Sequence, residues 1–232
     1  MDYVSTRNKE RKVSAAYAIA NGIAPDGGLY CPTAFPTLTD ADWKTLAERD
    51  YKGRSALILG NFLTDFTAEE LADFASKAYA DEKFGGADTA PVVKLGEGKN
   101  LLELWHGPTC AFKDMALQML PHLLTASLRK TGETRTACIL VATSGDTGKA
   151  ALDGFHDVPG TKIMVYYPVD GVSPMQKLQM VTQEGKNVEV VAIRGNFDDA
   201  QSAVQRIFTD ENTRAALNKA GMMLSSANSI NW

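Results

Sequence analysis

Cys138-Ile139-Leu140-Val141-Ala142-Thr143-Ser144-Gly145-Asp146-Thr147-Gly148-Lys149-Ala150 is the stretch that decides how this chain folds. An unbroken apolar run of this length reads as a buried strand, and the small, hydroxyl-bearing, glycine-punctuated turn after it reads as the entry to a helix. A helix start offers backbone N–H groups that have no intrahelical acceptor, and it carries the positive end of the helix dipole, so it is suited to an anion. Gly145 and Gly148 let the backbone come close to such a guest, and the Ser144 and Thr147 hydroxyls add donors. The expected guest is a carboxylate or a phosphate. Asp146 stands against it, because its charge repels an anion unless the side chain points elsewhere, as it does if it caps the helix.

Working outward, strand-like runs at residues 162–167 and 188–193 follow the one at 138–142, separated by helical patterns near 148–156 and 175–183. A further helix carries Phe197, Ala200, Val204 and Ile207 on one side, and another apolar run begins at Met222. Upstream, a helix from Lys113 lines up Ala116, Leu120, Leu123, Leu124 and Leu128 on one face, and the runs 92–95 and 101–105 flank a turn as a hairpin. This alternation predicts an α/β fold in which helices cover a parallel sheet. Residues 1–90 read instead as mostly helical, with irregular joins. Ser14 caps a short helix that stops at Gly22, and Thr67-Ala68-Glu69-Glu70 opens another with a capping box. The polar, glycine-rich residues 81–88 form the expected join to a second region, 91–232.

Composition narrows the function classes. With 232 residues, 44% of them hydrophobic, and a net charge of -4, the chain has no basic surface to suggest nucleic acid. No apolar run approaches a membrane span, and the N-terminus carries no recognisable address, so a cytoplasmic protein is expected. Cys31, Cys110 and Cys138 are too scattered for a disulfide framework or a zinc site, and no metal is expected. Nothing in the sequence bears on oligomeric state.

Lys113 lies in Leu104-Trp105-His106-Gly107-Pro108-Thr109-Cys110-Ala111-Phe112-Lys113-Asp114, ahead of the anion turn. An amine at a helix start paired with such a turn is what imine chemistry on pyridoxal 5'-phosphate requires, provided the amine is partly desolvated. Pro108, Cys110, Ala111 and Phe112 are the expected apolar approach. A nucleotide site is rejected, since Thr143 and Ala150 occupy places where a P-loop needs Gly and Ser or Thr.

The segments ELWHGPTCAFKD (103–114), ATSGDTG (142–148), SPMQKLQM (173–180) and SSANSIN (225–231) together resemble threonine synthases, over essentially the whole chain. The resemblance implies a tryptophan synthase β-like fold of PLP enzymes (fold type II), with residues 1–90 as the family's N-terminal domain and 91–232 as the first half of the cofactor-binding core. It implies conversion of O-phospho-L-homoserine and water to L-threonine and phosphate, with Lys113 bonding the cofactor and then carrying protons. Ser144, Gly145, Thr147 and Gly148 would hold the substrate carboxylate, Asp146 would lie near the cofactor's phenolic oxygen, and Asn228, Ser229 and Asn231 would lie near the substrate. His106 could line the site or serve only as a hydrogen-bonded structural histidine. The family's cradle for the cofactor phosphate belongs to a half not represented here, so the expectation is an N-terminal fragment that is inactive alone and binds the cofactor weakly. The alternatives are another PLP-dependent β/γ-eliminating lyase and a non-catalytic relative that binds amino acid or phosphate.

Overall fold

A computed structural model describes residues 1–227 of the chain. The N-terminal region runs β1 (Tyr3–Ser5), β2 (Lys12–Val13), α1 (Ala15–Asn21), β3 (Tyr30–Pro32), α2 (Asp40–Glu48), α3 (Tyr51–Phe62), α4 (Ala68–Ala78) and α5 (Asp81–Phe84). Its caps are those the sequence announces. Ser14 Oγ accepts the Tyr17 N–H, and Thr67 and Glu70 form a reciprocal capping box at α4. The region is mostly helical, as expected, and adds a small sheet that the sequence did not announce, in which β1 pairs antiparallel with both β2 and β3.

The second region continues with β4 (Val92–Gly96), β5 (Lys99–Leu102), α6 (Asp114–Leu117), α7 (Leu120–Lys130), β6 (Thr136–Ala142), α8 (Asp146–Phe155), β7 (Thr161–Pro168), α9 (Pro174–Val181), β8 (Val188–Ile193), α10 (Phe197–Thr209), α11 (Glu211–Lys219) and β9 (Met222–Ser226). Strands β8, β7, β6 and β9 form a parallel sheet in that order, with Ala137 opposite Thr161 and Thr136 opposite Met222. Chain order therefore reverses at β6, whose successors lie on opposite sides of it. In open α/β sheets the crevice at the carboxyl end of such a switch point is where ligands collect.

Alternation along β6 and β7 serves two cores. Ala137, Ile139 and Val141, with Ile163 and Val165, face Leu117, Leu120, Leu124, Ala151, Leu152 and Phe155. Leu140 and Ala142 turn the other way, against Ala200 and Val204 of α10. Each large side chain buried this way stabilises the fold by about 2 kcal/mol relative to exposure. A third cluster joins Leu71, Phe74, Ala75 and Ala78 of α4 to Met119, Leu123 and Ala126, so the N-terminal helices rest on α7.

One expected helix is two. The pattern starting at Lys113 is interrupted at Gln118 and Met119, between α6 and α7. Gln118 is buried there because its amide has specific partners: Oε1 accepts from Lys83 Nζ at 2.8 Å and Nε2 donates to Asp153 Oδ2 at 2.8 Å. The hairpin β4–β5 is present as expected, and both its faces are largely exposed. Among the described residues, no helix is long and apolar enough to cross a membrane.

Candidate active site

The turn after β6 is organised from within by Thr143, which is buried. Its Oγ1 accepts the N–H groups of Gly145 at 3.0 Å and Gly148 at 2.9 Å, and donates to the Gly145 carbonyl at 3.1 Å. The two glycines thus contribute room rather than donors. A Cβ on Gly148 would meet Thr143 Cγ2 at 2.4 Å and both Met180 Sδ and Val165 Cγ1 at 2.9 Å, so only glycine lets α8 seat this deeply. The Thr143 clasp takes neither the N–H groups of Ser144, Asp146 and Thr147 nor the hydroxyls of Ser144 and Thr147. Ser144 and Asp146 are exposed and Thr147 is half-buried.

Asp146 does not cap α8. The cap position belongs to Gly145, with φ of 154°, and Asp146 is the first helical residue. Its Oδ1 accepts from Gln176 Nε2 at 2.6 Å. Gln176 belongs to α9, which starts where it does because Ser173 Oγ accepts the Gln176 N–H at 3.2 Å and Pro174 takes the first helical position, where no N–H is needed.

The segment before Lys113 is pinned by Asp114, whose carboxylate is wholly buried. It accepts the Thr109 N–H at 2.8 Å and the Thr109 hydroxyl at 2.7 Å, both buried bonds. Burial pushes the Asp114 carboxyl above its ordinary range, against the opposing pull of the Thr109 bonds. Gly107 has no room for a side chain, since a Cβ there would lie 2.5 Å from Asp114 Oδ2. Cys110 closes the turn with φ of 57° and donates its N–H to the Gly107 carbonyl at 3.0 Å. Lys113 follows, half-buried, with Nζ 4.8 Å from the Phe112 ring centroid.

The expected apolar approach to this amine is corrected in part. Ala111 is buried, but Pro108, Cys110 and Phe112 are exposed, with the Phe112 ring beside Nζ. His106 holds Glu103, Nε2 to Oε2 at 2.6 Å, and stacks on Trp105, which favours its structural reading. Asn228, Ser229 and Asn231 lie outside the described residues.

Two contacts join the Lys113 segment to the anion turn. Helix α6 packs on α8 where Gly154 faces the Leu117 carbonyl, and Gln179 of α9 donates to the Thr109 carbonyl at 3.4 Å while Gln176 of the same helix holds Asp146. Sequence reasoning gave no role to Thr143, Asp114, Gln176 or Gln179. The signal for the glutamines was the segment 173–180, which carried the resemblance without indicating what its side chains touch.

Comparison with known proteins bears on the same segments. Residues 2–79 match the family described as threonine synthase N terminus. Threonine synthase-like 1 of Homo sapiens is 38% identical over 99% of this chain and 33% of its own length. Threonine synthase of Corynebacterium glutamicum is 36% identical over 100% of the chain and 48% of its own length. The crystal structure of PLP-bound threonine synthase from Brucella melitensis superposes with a TM-score of 0.88 at 37% identity, covering 100% of this chain and 48% of that one. The fold is therefore the α/β fold of these enzymes, and the chain spans a third to about half the length of the relatives it matches.

Proposed function

We propose, from the correspondence of this chain to the N-terminal half of threonine synthases in sequence and fold, that it supplies the amine and the carboxylate-binding loop of a PLP-dependent lyase. The reaction is conversion of O-phospho-L-homoserine and water to L-threonine and phosphate, carried out in the cytoplasm on small soluble metabolites. One observation carries this reading: the turn at the sheet's switch point and the helix that starts after Lys113 are packed together, through α6 on α8 and through α9.

The donor set fits the groups it has to hold. A primary amine opens one helix, while two hydroxyls and the free N–H groups at the start of α8 suit a carboxylate. Pyridoxal phosphate, when bound, supplies the electron sink for carbanion chemistry on the substrate. Lys113 would hold the cofactor through Nζ, and the same amine would carry protons to and from the substrate carbons. Ser144 and Thr147 hold the substrate carboxylate, and Gly145 and Gly148 keep side chains out of its way. With Oδ1 engaged by Gln176, the other oxygen of Asp146 would be the one to meet the cofactor's phenolic group.

Long-wavelength absorbance of the PLP-loaded chain, titrated with amino acids, tests this substrate assignment. O-phospho-L-homoserine should perturb the absorbance at lower concentration than L-serine or L-threonine. A preference for L-serine would instead indicate a dehydratase.

A further inference from the structure

Asp146 puts a carboxylate at the first position of α8, beside the place where the substrate carboxylate is to be held, and like charges this close oppose binding. The surroundings of Asp146 show how that conflict is relieved. We propose that Gln176 is a positioning residue for the carboxylate-binding loop: its amide draws Asp146 toward α9 and leaves the Ser144 and Thr147 donors to the substrate. This inference rests on the reading of residues 143–148 given above and adds the device that makes the loop competent.

The geometry fixes the amide at both ends. Gln176 Nε2 donates to Asp146 Oδ1 at 2.6 Å, and Gln176 Oε1 accepts from Ser173 Oγ at 3.1 Å. Turning the amide over would set an oxygen against the carboxylate, so the network selects the donor orientation. Gly145 supplies an independent sign of the same fit. A Cβ there would lie 2.5 Å from Gln176 Cδ and Oε1 and 2.6 Å from Nε2, so the glutamine lies across the loop backbone only because residue 145 has no side chain. Gln176 also sits one turn from Gln179, which reaches the Thr109 carbonyl, so α9 spans both segments of the site.

The test is titration of the intact chain with O-phospho-L-homoserine, followed through the backbone amide resonances of Ser144 and Thr147. Gln176→Ala should weaken binding roughly tenfold, the change that corresponds to about 1.4 kcal/mol. Gln176→Glu, which keeps the size but removes the donor, should do the same. In the cofactor-free chain, where a contact of Asp146 with the phenolic group plays no part, the double variant Asp146→Asn, Gln176→Ala should recover most of the binding lost in Gln176→Ala, because the repulsion is gone. Added salt should narrow the gap between Gln176→Ala and the unaltered chain, as screening narrows a charge effect but not a packing defect. Replacement of Lys177, exposed on the same helix, serves as the control and should leave the titration unchanged.

The proposal is overturned if Gln176→Ala titrates like the unaltered chain, if the double variant stays as weak as the single one, or if Ser144 and Thr147 do not respond at all. Cofactor labelling of Lys113 separates this from the wider reading. An unlabelled Lys113 in the unaltered chain defeats the function proposed above, whereas normal labelling with an unchanged Gln176→Ala titration defeats this inference alone.

Discussion

The Leu117 carbonyl oxygen lies 2.2 Å from where a Cβ on Gly154 would stand, so α6 and α8 meet backbone against backbone. That contact sets how near the Lys113 helix comes to the helix that follows the anion turn. Gly154→Ala should force the pair apart. Overpacking against main chain costs about 3 kcal/mol, offset by about 1 kcal/mol of helix propensity, for a net loss of about 2 kcal/mol. Denaturant titration checks the stability, and cofactor labelling of Lys113 should fall in the same variant.

Thr143 makes a comparable prediction for the turn itself. Thr143→Val keeps the shape but removes the acceptor of the buried Gly145 N–H, at a cost of about 2 kcal/mol. Thr143→Ser retains the hydroxyl and should recover most of that stability in the same unfolding measurement. Equal stability for Val and Ser at this position would show that the clasp is not what holds the loop.

Asp114 gives a pH dependence whose sign follows from burial. Its carboxyl holds a proton more tightly in the folded chain than in the unfolded one, so folding is favoured below the ordinary aspartate range and loses stability as pH rises toward the raised value. Asp114→Asn should remove this part of the slope, since an amide does not titrate, while its oxygen, set in the place of Oδ2, can still accept the Thr109 N–H. Asp114→Ala should cost about 2 kcal/mol at neutral pH by leaving the buried Thr109 N–H and hydroxyl without their acceptor. Stability curves for the three forms, from acid to neutral pH, decide the matter.

The hairpin β4–β5 leaves apolar side chains in solvent, with Val92 and Leu95 each 65% exposed and Leu102 53% exposed. A surface of this kind promotes association. The chain should sediment with rising mass as concentration increases, and the double substitution Leu95→Lys, Leu102→Lys should suppress that rise. A mass independent of concentration in the unaltered chain would count against the patch as an associating surface.

What the sequence disclosed and what it concealed divide along physical lines. Strand β6, its turn and α8 were legible because a strand buried on both faces is a continuous apolar run and the turn is marked by glycines. The caps at Ser14 and Thr67 were legible because their bonding is local. Strands β1, β2 and β3 were not, being only two or three residues long and so too short for any period to show. Helix α11 buries no side chain, so it left no apolar stripe to read. The break between α6 and α7 lay hidden inside a continuous helical pattern, because it depends on Gln118 reaching Lys83 and Asp153. In the site, residue types named the amine and the turn, while the tie between Gln176 and Asp146 joins positions far apart in sequence and appears only after folding.

The most direct measurement is borohydride reduction of the chain mixed with pyridoxal phosphate, followed by proteolysis and mapping of the pyridoxyl group. Reduction traps the bond to lysine even where affinity is low. The label should concentrate on the peptide that holds Lys113 and disappear from it in Lys113→Ala. Label spread across exposed lysines, with Lys113 no more modified than the rest, would contradict the assignment of this amine as the cofactor's attachment point.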